Sequence, residues 1–256
     1  MFNKIKSKLK SRIDNQVSAQ VASQLAPTFP NLNANVIELN NFQELKKVFG
    51  WKGDPILDRP DIDDFDYIED VNERRKRDSE SIATVMQNAQ AKVALEIGTA
   101  NGMGTVLMAA NAPKTKIYTI NIEPEEALTG AGGKLITVAM QKEEIGIEFR
   151  KRKLTNVEQI YANTATWEPN IGMIDVAFID GSHDSEFVYN DTKKVLSAME
   201  PGDFILWHDF NLELAPKYNW IGSVCAGVER LCAEGYVKGR IFHIRDSWVG
   251  IYRVGQ

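Results

Sequence analysis

From Lys92 to the C-terminus, apolar β-rich runs alternate with helix-forming stretches, and this alternation constrains the fold more than any other feature. The runs are VALEIG (93–98), KIYTINI (116–122), EQIYAN (158–163), DVAFID (175–180) and DFILWHD (203–209), with helical stretches such as 132–145 and 184–199 between them. Strands alternating with helices form a parallel sheet covered on both faces. RIFHI (240–244) and WVGIYRV (248–254) are three residues apart and predict an antiparallel hairpin. The expected fold is α/β: a doubly wound, mostly parallel seven-stranded sheet ending in that hairpin. In such sheets, ligands bind beyond the carboxyl ends of the strands, so polar residues at those ends carry the functional reading.

The first third has a different texture. Phe2, Ile5, Leu9, Ile13, Val17, Val21 and Leu25 recur at three- to four-residue steps, with Lys4, Lys6, Lys8, Lys10 and Arg12 on the remaining surface. This predicts one amphipathic helix over residues 1–26, stopped by Pro27 and Pro30. Residues 54–70 are acidic and contain proline, so they read as a loop or lid. A polar helix follows over about Val71–Ala89. We divide the chain into an N-terminal helical and loop region, 1–79, and a larger domain, 80–256. Three readings of the basic helix stand open: a homo-oligomer or lid contact, a peripheral membrane contact, and a solvated tail.

The net charge of −5 gives no reason to expect nucleic acid as the main partner, because phosphate binding needs a basic face. No run approaches the roughly 18 apolar residues of a membrane span, and no apolar stretch follows the first lysines as in a secretory signal. Cys225 and Cys232 fall seven apart in a predicted helix, about 10 Å of rise, too far for a disulfide. Two reduced thiols fit a cytoplasmic protein.

Glu96-Ile97-Gly98-Thr99-Ala100-Asn101-Gly102 closes the first strand of the larger domain and opens a helix. Gly98 permits a tight turn, Ala100 is small enough for a ligand to approach the backbone, and Gly102 permits close helix–strand packing. An acid two residues before the first glycine, followed by G-x-x-x-G, resembles motif I of class I S-adenosylmethionine (SAM)-dependent methyltransferases. The resemblance implies a Rossmann-like fold and a loop that holds the methionine part of SAM, with Glu96 orienting its ammonium end. Dinucleotide binding is the competing reading. It requires a third glycine one residue beyond Gly102, unless Gly104 is recruited.

Thr119-Ile120-Asn121-Ile122-Glu123-Pro124 has the frame in which catechol methyltransferase-like enzymes carry an acid for the SAM ribose. Here Asn121 occupies the acid's place, and Glu123 is the alternative ribose partner. Asn163 likewise stands where such relatives carry an Asp near the adenine.

Two further motifs end adjacent strands: Asp180-Gly181-Ser182-His183 and His208-Asp209. Their combination resembles the catechol, macrolide-sugar and cephalosporin-cluster methyltransferases, which hold one divalent metal there. That resemblance implies Asp180, His208 and Asp209 as ligands. Two carboxylates suit Mg²⁺, while a His208 nitrogen would shift preference toward Mn²⁺ or another transition ion. The resemblance also places a base three residues after the first metal Asp, at His183. An imidazole is suited to taking a hydroxyl proton at neutral pH. Helix capping is the alternative role for Asp180, Asp209 and His183.

Trp207, Trp220 and Trp248 lie near the same sheet end, where core packing is expected for at least two of them and a substrate wall for the rest. The expected function is SAM-dependent methyl transfer to a hydroxyl of a small molecule or sugar, assisted by a divalent metal. A metal-independent methyltransferase and a SAM-binding partner without activity are the alternatives.

Overall fold

The computed structural model describes residues 28–57, 74–130, 132–133 and 140–256. The amphipathic helix expected over 1–26 lies outside these residues, with the oligomer and membrane contacts read from it, as does most of the acidic loop. The described elements run α1 (Pro30–Asn35), β1 (Val36–Leu39), α2 (Phe42–Phe49), α3 (Arg74–Asn88), β2 (Val93–Ile97), α4 (Met103–Asn111), β3 (Lys116–Asn121), α5 (Pro124–Ala127), α6 (Ile147–Lys151) and β4 (Val157–Tyr161). They continue with β5 (Val176–Ile179), α7 (Ser185–Leu196), β6 (Phe204–Trp207), α8 (Asn219–Ala233), β7 (Ile241–Ile244) and β8 (Gly250–Arg253).

One sheet holds all eight strands in the order β1-β7-β8-β6-β5-β2-β3-β4. The five inner runs pair in parallel, and β8 is antiparallel to both β6 and β7. Seven of these strands are those expected. The eighth, β1, comes from the N-terminal region and pairs in parallel with β7, Val36 opposite Ile241 and Leu39 opposite Ile244. Part of residues 1–79 is thus built into the same sheet. Part of the helix expected over 132–145 also differs: residues 142–146 make turns, and α6 begins at Ile147.

The continuous apolar runs split by side-chain alternation, because successive residues of a strand face opposite ways. In β6, Ile205 and Trp207 pack with Val188, Ile221 and Val228 of α7 and α8 on one face. Phe204 and Leu206 meet Leu45, Met86 and Leu107 of α2, α3 and α4 on the other. Complete burial of such side chains stabilises by roughly 1.5–3 kcal/mol each. Both faces are therefore spent on packing, and the polar ends of the strands are left for chemistry. Among the described residues no helix is long and apolar enough to cross a membrane.

Candidate active site

A cavity of about 670 Å³ opens at the carboxyl ends of β2 to β6, within the range of small-molecule sites. It brings together Gly98, Ala100 and Asn101 of the loop after β2, Asn121 at the end of β3, and Asn163 after β4. Asp180, His183, His208 and Asp209, from the ends of β5 and β6, line it as well. Glu96, Thr99, Gly102 and Glu123, also singled out by sequence, do not.

Glu96 shows why. It faces α4, away from its neighbours Leu95 and Ile97, and is 1% exposed. Its Oε2 accepts a bond from Thr119 Oγ1 at 2.6 Å and another from the hydroxyl of Thr105. Thr99 joins this cluster through Thr119, 2.7 Å between hydroxyl oxygens, and Gln159 donates to Thr99 at 2.9 Å. Burial, outweighing the two hydroxyl bonds, pushes the Glu96 carboxyl up to about 8. Glu96 thus stands behind the loop, tied to Thr105 and Thr119.

Gly98 has the positive φ expected of its tight turn, +102°, and a Cβ there would lie 1.9 Å from the Asp180 carbonyl oxygen. Close approach of the β5 end also requires this glycine. Gly102, at φ +91°, packs against Gly146 and Phe149 at the start of α6, not against a strand. Glu123 turns outward, 2.8 Å from Lys142 Nζ.

Asn121 holds the loop. Its Oδ1 accepts the Ala100 N–H at 3.1 Å, and its Nδ2 donates to the Ile122 carbonyl at 2.9 Å. Ala100 has φ +46°, an unfavourable conformation for a residue with a Cβ, and this bond supports it. Asn163 donates to Glu126 Oε1 at 2.7 Å and accepts the Ala165 N–H.

At the ends of β5 and β6 the charged groups form a chain. His183 Nε2 lies 2.9 Å from Asp209 Oδ2, and His183 Nδ1 is buried without a partner among the described residues. His208 Nδ1 lies 3.0 Å from Asp180 Oδ1 and 3.3 Å from Asp209 Oδ2. Its Nε2 lies 3.3 Å from Asp78 Oδ2. Asp209 Oδ1 accepts the indole N–H of Trp220 at 3.2 Å. Asp209 also has φ +51°, the kind of backbone strain that clusters at functional sites. Burial opposes charge on both His208 and Asp209. On His208 the carboxylates of Asp180 and Asp209 overcome it and hold the imidazole charged well above its ordinary range. On Asp209 the charged His208 and the contact with His183 hold the carboxyl well below its own.

The capping alternatives fall away. The residue preceding α7 is Asp184 and that preceding α8 is Tyr218, and neither Asp180, His183 nor Asp209 caps a described helix. Trp207 is core, its indole N–H donating to Thr192. Trp220 and Trp248 pack against the same core cluster, as expected for at least two of the three, and also line the cavity. Sequence reading missed Asp78, Ser79 and Ile82 of α3, which also line the cavity. The only local signal for them was an acid placed one turn from an apolar residue in a polar helix.

Residues 95–210 match the family model of a methyltransferase domain, from β2 to just beyond the His208–Asp209 pair. No curated protein matches the chain by sequence. Solved structures share the fold at low identity. The O-methyltransferase NovP is 13% identical, with a TM-score of 0.53 over 70% of this chain and 78% of its own. A putative O-methyltransferase from Klebsiella pneumoniae is 17% identical, with a TM-score of 0.51 over 84% of this chain and 96% of its own. The N-methyltransferase NodS from Bradyrhizobium japonicum WM9 is 12% identical, with a TM-score of 0.50 over 72% of this chain and 98% of its own. The segment carrying the loop after β2, Asp180, His183 and the His208–Asp209 pair is thus the part of the chain that is similar to a methyltransferase domain.

Proposed function

We propose that the protein transfers the SAM methyl group to a hydroxyl of a small molecule or sugar, with His183 as the base. The contact between His183 and Asp209 carries this reading. Asp209 engages Nε2, which fixes that nitrogen as the N–H and leaves the lone pair on Nδ1. This is how a carboxylate orients a histidine base. His183 Nδ1 has no partner among the described residues, and the residue lines the cavity; an acceptor hydroxyl would satisfy it. The loop at Gly98, Ala100 and Asn101 would take the methionine end of SAM, Asn121 the ribose and Asn163 the adenine side. Trp220 and Trp248 would wall the acceptor.

The donor set fits a divalent cation in part. Asp180, His183 and Asp209 each offer an atom within 4.8 Å of the others. Mg²⁺, which prefers oxygen, would be held by Asp180 and Asp209 with water completing its shell. His208, the third ligand implied by resemblance, is not in this group; its Nδ1 lies against Asp180 and Asp209 and its Nε2 against Asp78. When bound, SAM supplies an electrophilic methyl group, and the metal supplies a Lewis acid that acidifies the hydroxyl. One observation favours the metal-independent reading. The charged His208 ring already lies against Asp180 and Asp209, supplying the positive charge that a cation would bring.

The test is transfer from methyl-labelled SAM to a panel of phenols and sugars, with and without exhaustive chelation. Transfer that chelation stops supports the metal-assisted form, and transfer that survives it supports the metal-independent form. No transfer to any hydroxyl, with SAM bound, overturns the O-methyltransferase reading.

A further inference from the structure

The methyltransferase match begins at Leu95, yet a carboxylate from outside it reaches the charged chain. Asp78 stands on α3 and is 5% exposed. Its Oδ1 accepts the hydroxyl of Ser247 at 3.0 Å and the backbone N–H of Trp248, both in the turn between β7 and β8. Its Oδ2 faces His208 Nε2 at 3.3 Å. We propose, on the basis of the function above, that Asp78 is a positioning residue. It fixes the His208 ring with Nδ1 toward Asp180 and Asp209, and so holds the Asp209 carboxylate in place for His183.

The two oxygens do different work. An anchor joining α3 to the hairpin needs only Oδ1. Because the turn grips Oδ1, the carboxylate cannot rotate, and Oδ2 is presented to the imidazole at a set angle. An imidazole between carboxylates has two orientations related by a ring flip, and the flip exchanges nitrogen for carbon at each contact. With Asp78 in place, the flipped ring would leave charge-assisted contacts at both ends unmade. Without Asp78 only the Nδ1 end resists the flip. Asp209 Oδ2 is approached by both His208 and His183, so disorder in His208 passes directly to the base. Carboxylates that orient a metal-ligating imidazole from behind commonly matter by about 10–100-fold when removed, and Asp78 stands in the same relation to His208.

The test uses Asp78→Asn, which preserves size and an acceptor for Ser247, and Asp78→Ser as the second variant should the first not fold. The chain has three histidines, so their imidazole nitrogen signals can be followed by NMR, with His208→Asn identifying that of His208. The expected result is a shifted His208 signal in the Asp78 variants. Turnover of the hydroxyl acceptor found in the panel should fall about tenfold or more, with SAM affinity unchanged by calorimetry. In the His208→Asn background the Asp78 substitution should add no further loss. Unmoved His208 signals, or a loss of turnover undiminished in that background, would overturn the proposal and leave Asp78 a hairpin anchor. Should no hydroxyl accept methyl, the function reading fails while the imidazole signals still decide the positioning role.

Discussion

Replacing Glu96 with glutamine tests the buried cluster behind the loop. Burial raises this carboxyl from its ordinary 4.5 to about 8. Between those values the folded protein keeps a proton that the unfolded chain releases, so stability falls as pH rises from about 4.5 to about 8 and levels off above. Each pH unit in that window is worth about 1.4 kcal/mol, so from pH 5.5 to pH 8 wild-type protein should lose about 3 kcal/mol through this group. Glu96→Gln keeps the shape and an acceptor for Thr105 and Thr119 but carries no titrating proton. Other groups titrate equally in both proteins, so the difference between them isolates Glu96. Urea unfolding at the two pH values, analysed by linear extrapolation, should show the variant gaining on wild type by about that amount at pH 8. Parallel losses in the two proteins would mean that Glu96 is ionised in the fold and that the hydroxyl bonds outweigh its burial.

Gly98→Ala should destabilise the fold by about 2–4 kcal/mol, since its Cβ would meet the Asp180 carbonyl oxygen at 1.9 Å; an unchanged melting temperature would contradict the close approach. Asn121→Ala removes the bond to the Ala100 N–H and should weaken SAM binding by about tenfold, the effect of one lost hydrogen bond of about 1.4 kcal/mol. Equal affinity by calorimetry would show that the loop keeps its shape alone.

Much of the fold was legible because β5 and β6 are apolar throughout, and continuous burial on both faces is what a covered parallel strand demands. The four-residue β1 was not. Val36–Leu39 gains its strand identity from β7, about two hundred residues later, and nothing local announces that pairing. Within the site, Asp180, His183, His208 and Asp209 were legible because each follows the apolar residues that end its strand, which puts it at the ligand edge. Their mutual contacts were not legible. Asp78, 130 residues away in sequence, faces the other nitrogen of His208, and no local pattern announced it. The partners of Glu96 were hidden for a related reason. Alternation sets its face, but only the packed structure brings Thr105 and Thr119 onto its carboxyl.

The central claim is that His183, oriented by Asp209, takes the acceptor's proton. Its most direct test is the rate of methyl transfer for wild type and His183→Ala, with SAM affinity measured on both. The account predicts that the variant binds SAM as wild type does and turns over about a hundredfold slower or worse, the usual loss for a positioned general base. Wild-type turnover in the variant would contradict it.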